Sequence, residues 1–125
     1  MLLKKDDEDN FPTVNINTIN SKRKKLNNLL EKHDEFFNWF GKLDYDAYSE
    51  GAIPKKYKEL TGLSISIFSK CNECIAYHIQ NCLKEQTSQE EILEAIRIGV
   101  IGGGSVTYPN ARYAFSVLKE LHLLK

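Results

Sequence analysis

The chain has 125 residues, a length typical of one domain, and its 42% hydrophobic and 27% charged content is ordinary for a globular protein. Basic and acidic side chains balance to a formal net charge of zero, so we expect no nucleic acid as a whole-protein partner. No run approaches the roughly 20 apolar residues of a membrane span, so we expect no membrane partner either.

The first residues are polar and aperiodic. We interpret residues 1–19 as a flexible arm and residues 20–125 as a single helical domain. Residues 6–9 are all acidic and no apolar stretch follows them, so we expect no secretory signal and a cytoplasmic location. In that reducing compartment, two cysteines in a C-x-x-C pattern are more often catalytic or metal-binding than structural. Three cysteines, an odd number, also argue against a simple disulfide framework.

Helical spacing of apolar residues predicts a first helix from Ser21 to Phe40, ended by Gly41. A short helical segment from Leu43 to Ser49 follows. The Phe-rich end of the first helix offers more apolar surface than a small monomer easily buries, so we expect this helix to determine assembly. The apolar positions are Leu26, Leu29, Leu30, Phe36, Phe37 and Phe40.

Two further helices are predicted in the middle of the chain. Pro54 suits the first turn of one, and a second begins near Cys71 or Asn72 and runs to about Gln86. No glycine or proline separates the two, so one long helix is also compatible with the sequence. The apolar face of the helix that begins near Pro54 is formed by Tyr57, Leu60, Leu63, Ile67 and Phe68.

Near the C-terminus, Thr87 or Ser88 is a candidate helix cap, with Glu90 or Glu91 completing a capping box. The run Gly102–Gly104 should end this helix. A last helix carries Tyr113, Val117, Leu118, Leu121 and Leu124. Because no segment shows a convincing strand pattern, we predict an all-α fold of about six helices.

The run Cys71-Asn72-Glu73-Cys74, followed by His78, is the strongest candidate for chemistry. In an α-helix Cys71, Cys74, His78 and Cys82 project within an arc of about 80°, and Cys74 and His78 are neighbours at i and i+4. Unpaired N–H groups in the first turn stabilise a thiolate, the reactive form of cysteine. The pattern therefore predicts a redox dithiol. Three other positions carry a milder expectation: Cys82 as a small core residue, and His33 and His122 as surface residues.

Glu59 borders the apolar face of its helix, where a carboxylate is costly without a partner. His78 or a cysteine thiol across a helix contact would be a suitable partner, and a desolvated carboxylate beside an imidazole is a plausible proton acceptor.

Two alternative functions stay open. Cys71, Cys74, His78 and Glu59 are also suitable as tetrahedral metal ligands. The chain is otherwise compatible with a helical assembly module without turnover.

The combination of Glu59, Cys71-x-x-Cys74 and His78 resembles the carboxymuconolactone decarboxylase and alkylhydroperoxidase D-like family. The spacing agrees at every step, and the surrounding segments 54–60, 74–78 and 88–95 are similar to the family pattern. The similarity covers roughly residues 50–120. It implies an all-α alkylhydroperoxidase D-like fold that assembles as a homotrimer or homohexamer.

In the peroxidase branch, the resemblance implies that Cys74 is the peroxidatic cysteine, Cys71 the resolving one, and Glu59 and His78 a proton relay. A small hydroperoxide would be the substrate, and an external dithiol or lipoylated protein the reductant, with no bound cofactor. Glu73 departs from this branch, since some members carry His at that position, and an acidic neighbour should raise a thiol pKa. The decarboxylase branch does not share the cysteine pair, so we expect no lactone decarboxylation. The predicted function is a thiol-dependent hydroperoxidase or disulfide reductase.

Overall fold

The computed structural model describes residues 12–124, and these form six α-helices joined by short loops. Within that range there is no β-strand, which confirms the all-α prediction, and no helix is both long and apolar enough to cross a bilayer. The helices are α1 (Ile16–His33), α2 (Glu35–Tyr48), α3 (Lys55–Phe68), α4 (Asn72–Lys84), α5 (Gln89–Gly103) and α6 (Tyr108–Glu120), with a 3-10 turn at Ser105–Thr107 between the last two.

Helix α3 lies at the centre, packed against α4 and α5, and α6 covers the other side of α4. A Cβ atom on Gly99 of α5 would lie 2.7 Å from the carbonyl oxygen of Ser64, so the backbones of α3 and α5 approach closely. Burial of aliphatic side chains is the main stabilising contribution here. The fully buried ones include Leu63, Ile67, Ile75, Ile79, Val117 and Leu118.

The first predicted helix is wrong in its bounds. It begins at Ile16, five residues before Ser21, because the Asn15 side chain accepts the N–H of Thr18 at 2.9 Å and caps it there. The predicted arm overlaps this helix at residues 16–19, and residues 1–11 lie outside the described range. The division into an arm and a domain therefore stays a prediction.

Asp34, not Gly41, interrupts this part of the chain. Its backbone is extended (φ −148°, ψ 115°), and its side chain accepts the N–H of Phe36 at 3.0 Å to cap α2. Gly41 lies inside α2, which also absorbs the predicted segment Leu43–Ser49 up to Tyr48. A polar capping residue thus ends one helix and begins the next, a role that helical periodicity does not reveal.

Helices α3 and α4 are separate, so the single long helix is excluded. Lys70 adopts a left-handed conformation (φ 59°) after the end of α3. The N–H of Cys71 donates to the carbonyl oxygen of Ser66 at 3.0 Å, and that of Lys70 to Ile67 at 3.1 Å. This is a Schellman motif, and it delivers Cys71 to the start of α4.

The start of α5 follows the prediction. Ser88 and Glu91 form a reciprocal capping box, in which the Ser88 hydroxyl accepts the N–H of Glu91 at 3.1 Å and the Glu91 carboxylate accepts that of Ser88 at 2.9 Å. The helix ends at Gly103, and Gly104 follows with φ 81°. The glycine run therefore terminates α5 as expected.

Candidate active site

Cys71 and Cys74 are joined by a disulfide at the N-terminus of α4, with their Cα atoms 5.2 Å apart. Cys71 precedes the helix as its capping residue, and its sulfur accepts the N–H of Cys74 at 3.2 Å. Both residues are half-buried. The Cys71 sulfur thus contacts an amide of the first helical turn, and Cys74 lies in that turn, where negative charge on sulfur is stabilised.

Cys74 and His78 line one open cavity of about 320 Å³ between α1, α2 and α4. Cys71 and Glu59 do not line it, so Glu59 reaches the cavity only through His78. The i,i+4 spacing expected from the sequence therefore brings the imidazole and the second cysteine to the same space. The lining residues are Arg23, Asn27, Asp44, Glu73, Cys74, Tyr77 and His78.

Glu59 of α3 is 1% exposed, and one of its carboxylate oxygens lies 2.9 Å from Nδ1 of His78, which is 8% exposed. Burial opposes ionisation of Glu59, but hydrogen bonds from Lys55 and His78 outweigh it and hold the pKa of this carboxyl below its usual range. Glu59 therefore stays ionised and accepts the Nδ1–H of His78. In the neutral imidazole, Nε2 is then the basic nitrogen.

Two further residues complete this network and were not predicted. Lys55 donates from Nζ to the second oxygen of Glu59 at 2.9 Å and to the carbonyl of Tyr48 at 3.2 Å. Asn81 donates its amide N–H to Glu59 at 3.2 Å. The only sequence signals were spacings, Lys55 four residues before Glu59 and Asn81 three after His78, which place them on the right helix faces.

The ring of His78 is confined on three sides. Its centroid lies 5.1 Å from that of Tyr48 and 5.2 Å from that of Tyr77. On the α3 side, a Cβ atom at Gly62 would lie 2.5 Å from Cε1 of the imidazole. The absence of a side chain at Gly62 is therefore what lets the ring rest against α3 and meet Glu59.

The metal-binding alternative gains no support from this geometry. Across residues 12–124, no group of three or more His, Cys, Asp or Glu side chains is arranged to hold a metal ion. Glu59 already accepts three hydrogen bonds, and the two cysteines are bonded to each other. The four candidate residues thus form a disulfide beside an imidazole–carboxylate pair.

Cys82 is fully buried in the core, and burial raises the pKa of its thiol to about 12. A protonated, inaccessible thiol is unreactive. His33 and His122 are exposed, as expected.

Comparison with solved structures finds close likeness in fold. Two crystal structures of the Thermotoga maritima protein TM1620 superpose with TM-scores of 0.81 and 0.80 at 36% identity, covering 84% of this chain and 93% and 90% of theirs. One describes a carboxymuconolactone decarboxylase family protein with a suggested antioxidative role. The apo form of lpg0406 from Legionella pneumophila, of the same family, gives 0.75 at 28% identity, covering 84% of this chain and 95% of that one.

Two curated proteins are also similar. An uncharacterized protein of the cox locus in Paracoccus denitrificans is 28% identical over 59% of this chain and 67% of its own length. Cupriavidus necator protein H16_B0147 is 28% identical over 58% of this chain and 61% of its own length. The family model of the carboxymuconolactone decarboxylases matches residues 34–120, which include the whole dithiol site. The chain belongs to the carboxymuconolactone decarboxylase family.

Proposed function

We propose that this protein is a thiol-dependent hydroperoxidase that cycles between a dithiol and the Cys71–Cys74 disulfide. The observation that carries the proposal is the position of this disulfide at a helix N-terminus, with Cys74 in the same cavity as a histidine that is hydrogen-bonded to a carboxylate. The antioxidative role suggested for the Thermotoga relative is consistent with it.

The first step removes the proton of Cys74. Glu59 holds the Nδ1–H of His78, so the Nε2 lone pair can accept the thiol proton, directly or through a water molecule. The ionised carboxylate stabilises the imidazolium that forms. His78 is the general base and Glu59 the group that orients it and compensates its charge.

The thiolate of Cys74 then attacks one oxygen of the hydroperoxide, the O–O bond breaks, and sulfur is oxidised to a sulfenic acid. The leaving alkoxide takes the proton from the His78 imidazolium and departs as an alcohol. Next, the thiol of Cys71 attacks the sulfenic sulfur, an S–S bond forms, the S–O bond breaks, and water leaves with the thiol proton. An external dithiol reduces the disulfide by exchange and is itself oxidised.

The geometry of the pair suits rapid resolution. The Cα separation of 5.2 Å is within the range of ordinary disulfides, so Cys71 needs no backbone movement to reach Cys74. Capping by the Cys71 sulfur keeps it next to the amide of Cys74. This geometry favours disulfide formation over further oxidation of the sulfenic acid.

A steady-state assay tests the proposal. Hydroperoxide consumption is followed with a dithiol reductant for the wild type, Cys74→Ser and Cys71→Ser, with Cys82→Ser as a matched control from the same helix. Cys74→Ser should abolish turnover, Cys71→Ser should permit one oxidation without efficient recycling, and Cys82→Ser should retain turnover unless it loses the fold. Equal rates in the wild type and Cys74→Ser would contradict the proposal.

The proposal includes assembly as a homotrimer or homohexamer, supported by the surface of α2. None of its residues is buried, and Trp39, Phe40 and Leu43 are 63%, 58% and 68% exposed. Exposed apolar surface of this extent marks an interaction site. Leu26, Leu29 and Leu30 of α1 are also exposed, so in this proposal α1 and α2 together take the place of the single predicted helix as the determinant of assembly.

Light scattering on Trp39→Glu and Leu43→Glu tests this role. Both charges should reduce the mass of the assembly while the helical circular dichroism is retained. Lys42→Glu, on the same helix but replacing an already charged side chain, is the control. An unchanged oligomer in both apolar variants would remove α2 from the interface.

A further inference from the structure

Arg23 of α1 has no part in the reaction above, yet it lies beside the reacting groups. It lines the cavity that Cys74 and His78 share, and its guanidinium carbon lies 5.1 Å from the centroid of the Tyr77 ring. That ring in turn contacts the His78 imidazole. A cation thus lines the same cavity as Cys74 and His78.

The guanidinium is held in place by a side-chain network. Its Nη2 donates to the amide oxygen of Asn20 at 2.9 Å. Asn20 donates to Gln80 at 2.8 Å, and Gln80 returns a hydrogen bond at 3.1 Å while also donating to the carbonyl of Ala76 at 3.0 Å. These contacts dock α1 on α4, so the orientation of Arg23 is set before any ligand arrives.

One end of this guanidinium is unsatisfied. Nη1 is buried and has no hydrogen-bond acceptor among the described residues. A buried N–H without an acceptor is destabilising, and a charged one more so. Arg23 lines the cavity, and because Nη1 is covered, an acceptor bound there reaches it only when the covering side chains move.

The charges facing the cavity restrict what that acceptor can be. Asp44 and Glu73 also line it, and neither forms an ion pair with Arg23 in the described structure. Two carboxylates repel a ligand with several negative charges. A ligand with one carboxylate can satisfy the guanidinium with the least repulsion from Asp44 and Glu73, and the about 320 Å³ of space suits a small molecule.

We propose that Arg23 binds the carboxylate of the substrate, a small organic hydroperoxide with one acidic group. The planar guanidinium suits a carboxylate, which accepts two parallel N–H bonds from it. With the carboxylate at Arg23, the peroxide group is directed toward Cys74. This inference rests on the proposed function and specifies the substrate class of the same site.

The test uses cumene hydroperoxide bearing a para-carboxylate, and the methyl ester of that compound. The ratio of kcat/KM for the acid to that for the ester is measured in the wild type, Arg23→Met and Arg112→Met. Loss of a charge-assisted hydrogen bond should lower this ratio by about 10- to 100-fold in Arg23→Met. Arg112, an exposed arginine that does not line the cavity, should give the wild-type ratio.

A binding measurement keeps the two proposals distinguishable. Calorimetry with the para-carboxylate of the product alcohol should show an affinity for the wild type that Arg23→Met loses by a similar factor, even if no hydroperoxide is turned over. An unchanged acid-to-ester ratio and unchanged affinity in a folded Arg23→Met protein would overturn the inference. If Arg23→Met changes the oligomeric mass but leaves the acid-to-ester ratio unchanged, the inference is also overturned. The acceptor of the Arg23 guanidinium would then belong to a second copy of the chain and not to the substrate.

Discussion

Replacing Gly62 by alanine tests whether the position of His78 governs the chemistry. The added Cβ atom would lie 2.5, 2.7 and 2.8 Å from Cε1, Nδ1 and Nε2 of the imidazole, where ordinary contacts begin at 3.4 Å. The ring must therefore move by about 1 Å. It cannot do so and keep its 2.9 Å hydrogen bond to Glu59, because Tyr48 and Tyr77 limit the other directions.

Two opposing effects set the stability of this variant. Alanine is favoured over glycine in a helix by about 1 kcal/mol. Weakening the hydrogen bond between His78 and an ionised carboxylate costs about 1.5–3 kcal/mol. The free energy of unfolding should therefore fall by about 1 kcal/mol, whereas displacement of a catalytic group by about 1 Å should lower kcat/KM about 100-fold.

Initial rates with hydroperoxide and denaturant unfolding measure both quantities. Gly41→Ala is the matched control, because Gly41 also lies inside a helix and a Cβ atom there has no neighbour within 4 Å in the same chain. Since α2 is the proposed assembly surface, the mass of this variant is measured by light scattering as well. Gly41→Ala should gain stability by up to about 1 kcal/mol and keep its activity. In a His78→Asn background, Gly62→Ala should cause no further loss of activity. Full activity of Gly62→Ala alone, or an equal loss added to His78→Asn, would refute the reasoning.

Four further predictions follow from the site and its surroundings. Lys55→Met removes a hydrogen bond that lowers the pKa of Glu59, so the acid limb of the kcat/KM profile should move to higher pH. Lys56→Met, which breaks a partly exposed ion pair with Glu91, should leave the limb in place. Because the folded pKa of Glu59 lies below its ordinary 4.5, the stability that Glu59 contributes is present above pH 4.5 and is lost as the pH falls through the folded pKa. In chemical denaturation, Glu59→Gln should weaken the dependence of the unfolding free energy on acidic pH. An unchanged pH dependence would exclude Glu59 as its source. Glu73→Gln removes a negative charge beside the reactive thiol, so alkylation of the reduced protein near neutral pH should become faster, and a slower reaction would contradict the expected effect. Gln86 adopts a left-handed conformation (φ 58°), so Gln86→Gly should raise the free energy of unfolding, measured in urea, by about 1 kcal/mol; an unchanged or lower value would contradict this expectation.

Local patterns in the sequence predicted much of the fold. Periodicity identified α3, α4 and α5, and the Ser88 capping box marked the start of α5. The errors lie in α1 and α2, where apolar residues face solvent and periodicity carries no information about packing. There Asp34 ends one helix and caps the next with its side chain. Gly41 has no neighbour within 4 Å of a Cβ position, and it remains helical because the neighbouring turns offset its low helix propensity.

The site was predictable in part for the same reason. Cys74 and His78 share one helix, so their spacing was enough to place them together. The contact of His78 with Glu59 depends on how α3 packs against α4. The sequence therefore named His78 only as one of two possible partners of Glu59. Gly62 and Arg23 approach the site across helix contacts, and spacing along a single helix does not specify the register of such contacts.

Single-turnover oxidation of the reduced protein tests the central claim most directly. One equivalent of hydroperoxide is added, and the intact mass is measured after rapid quenching in the wild type, Cys71→Ser and Cys74→Ser. We predict loss of two hydrogens in the wild type, gain of one oxygen at Cys74 in Cys71→Ser, and no rapid change in Cys74→Ser. Rapid oxidation of Cys74→Ser, with oxygen gained at Cys71, would contradict the assigned roles.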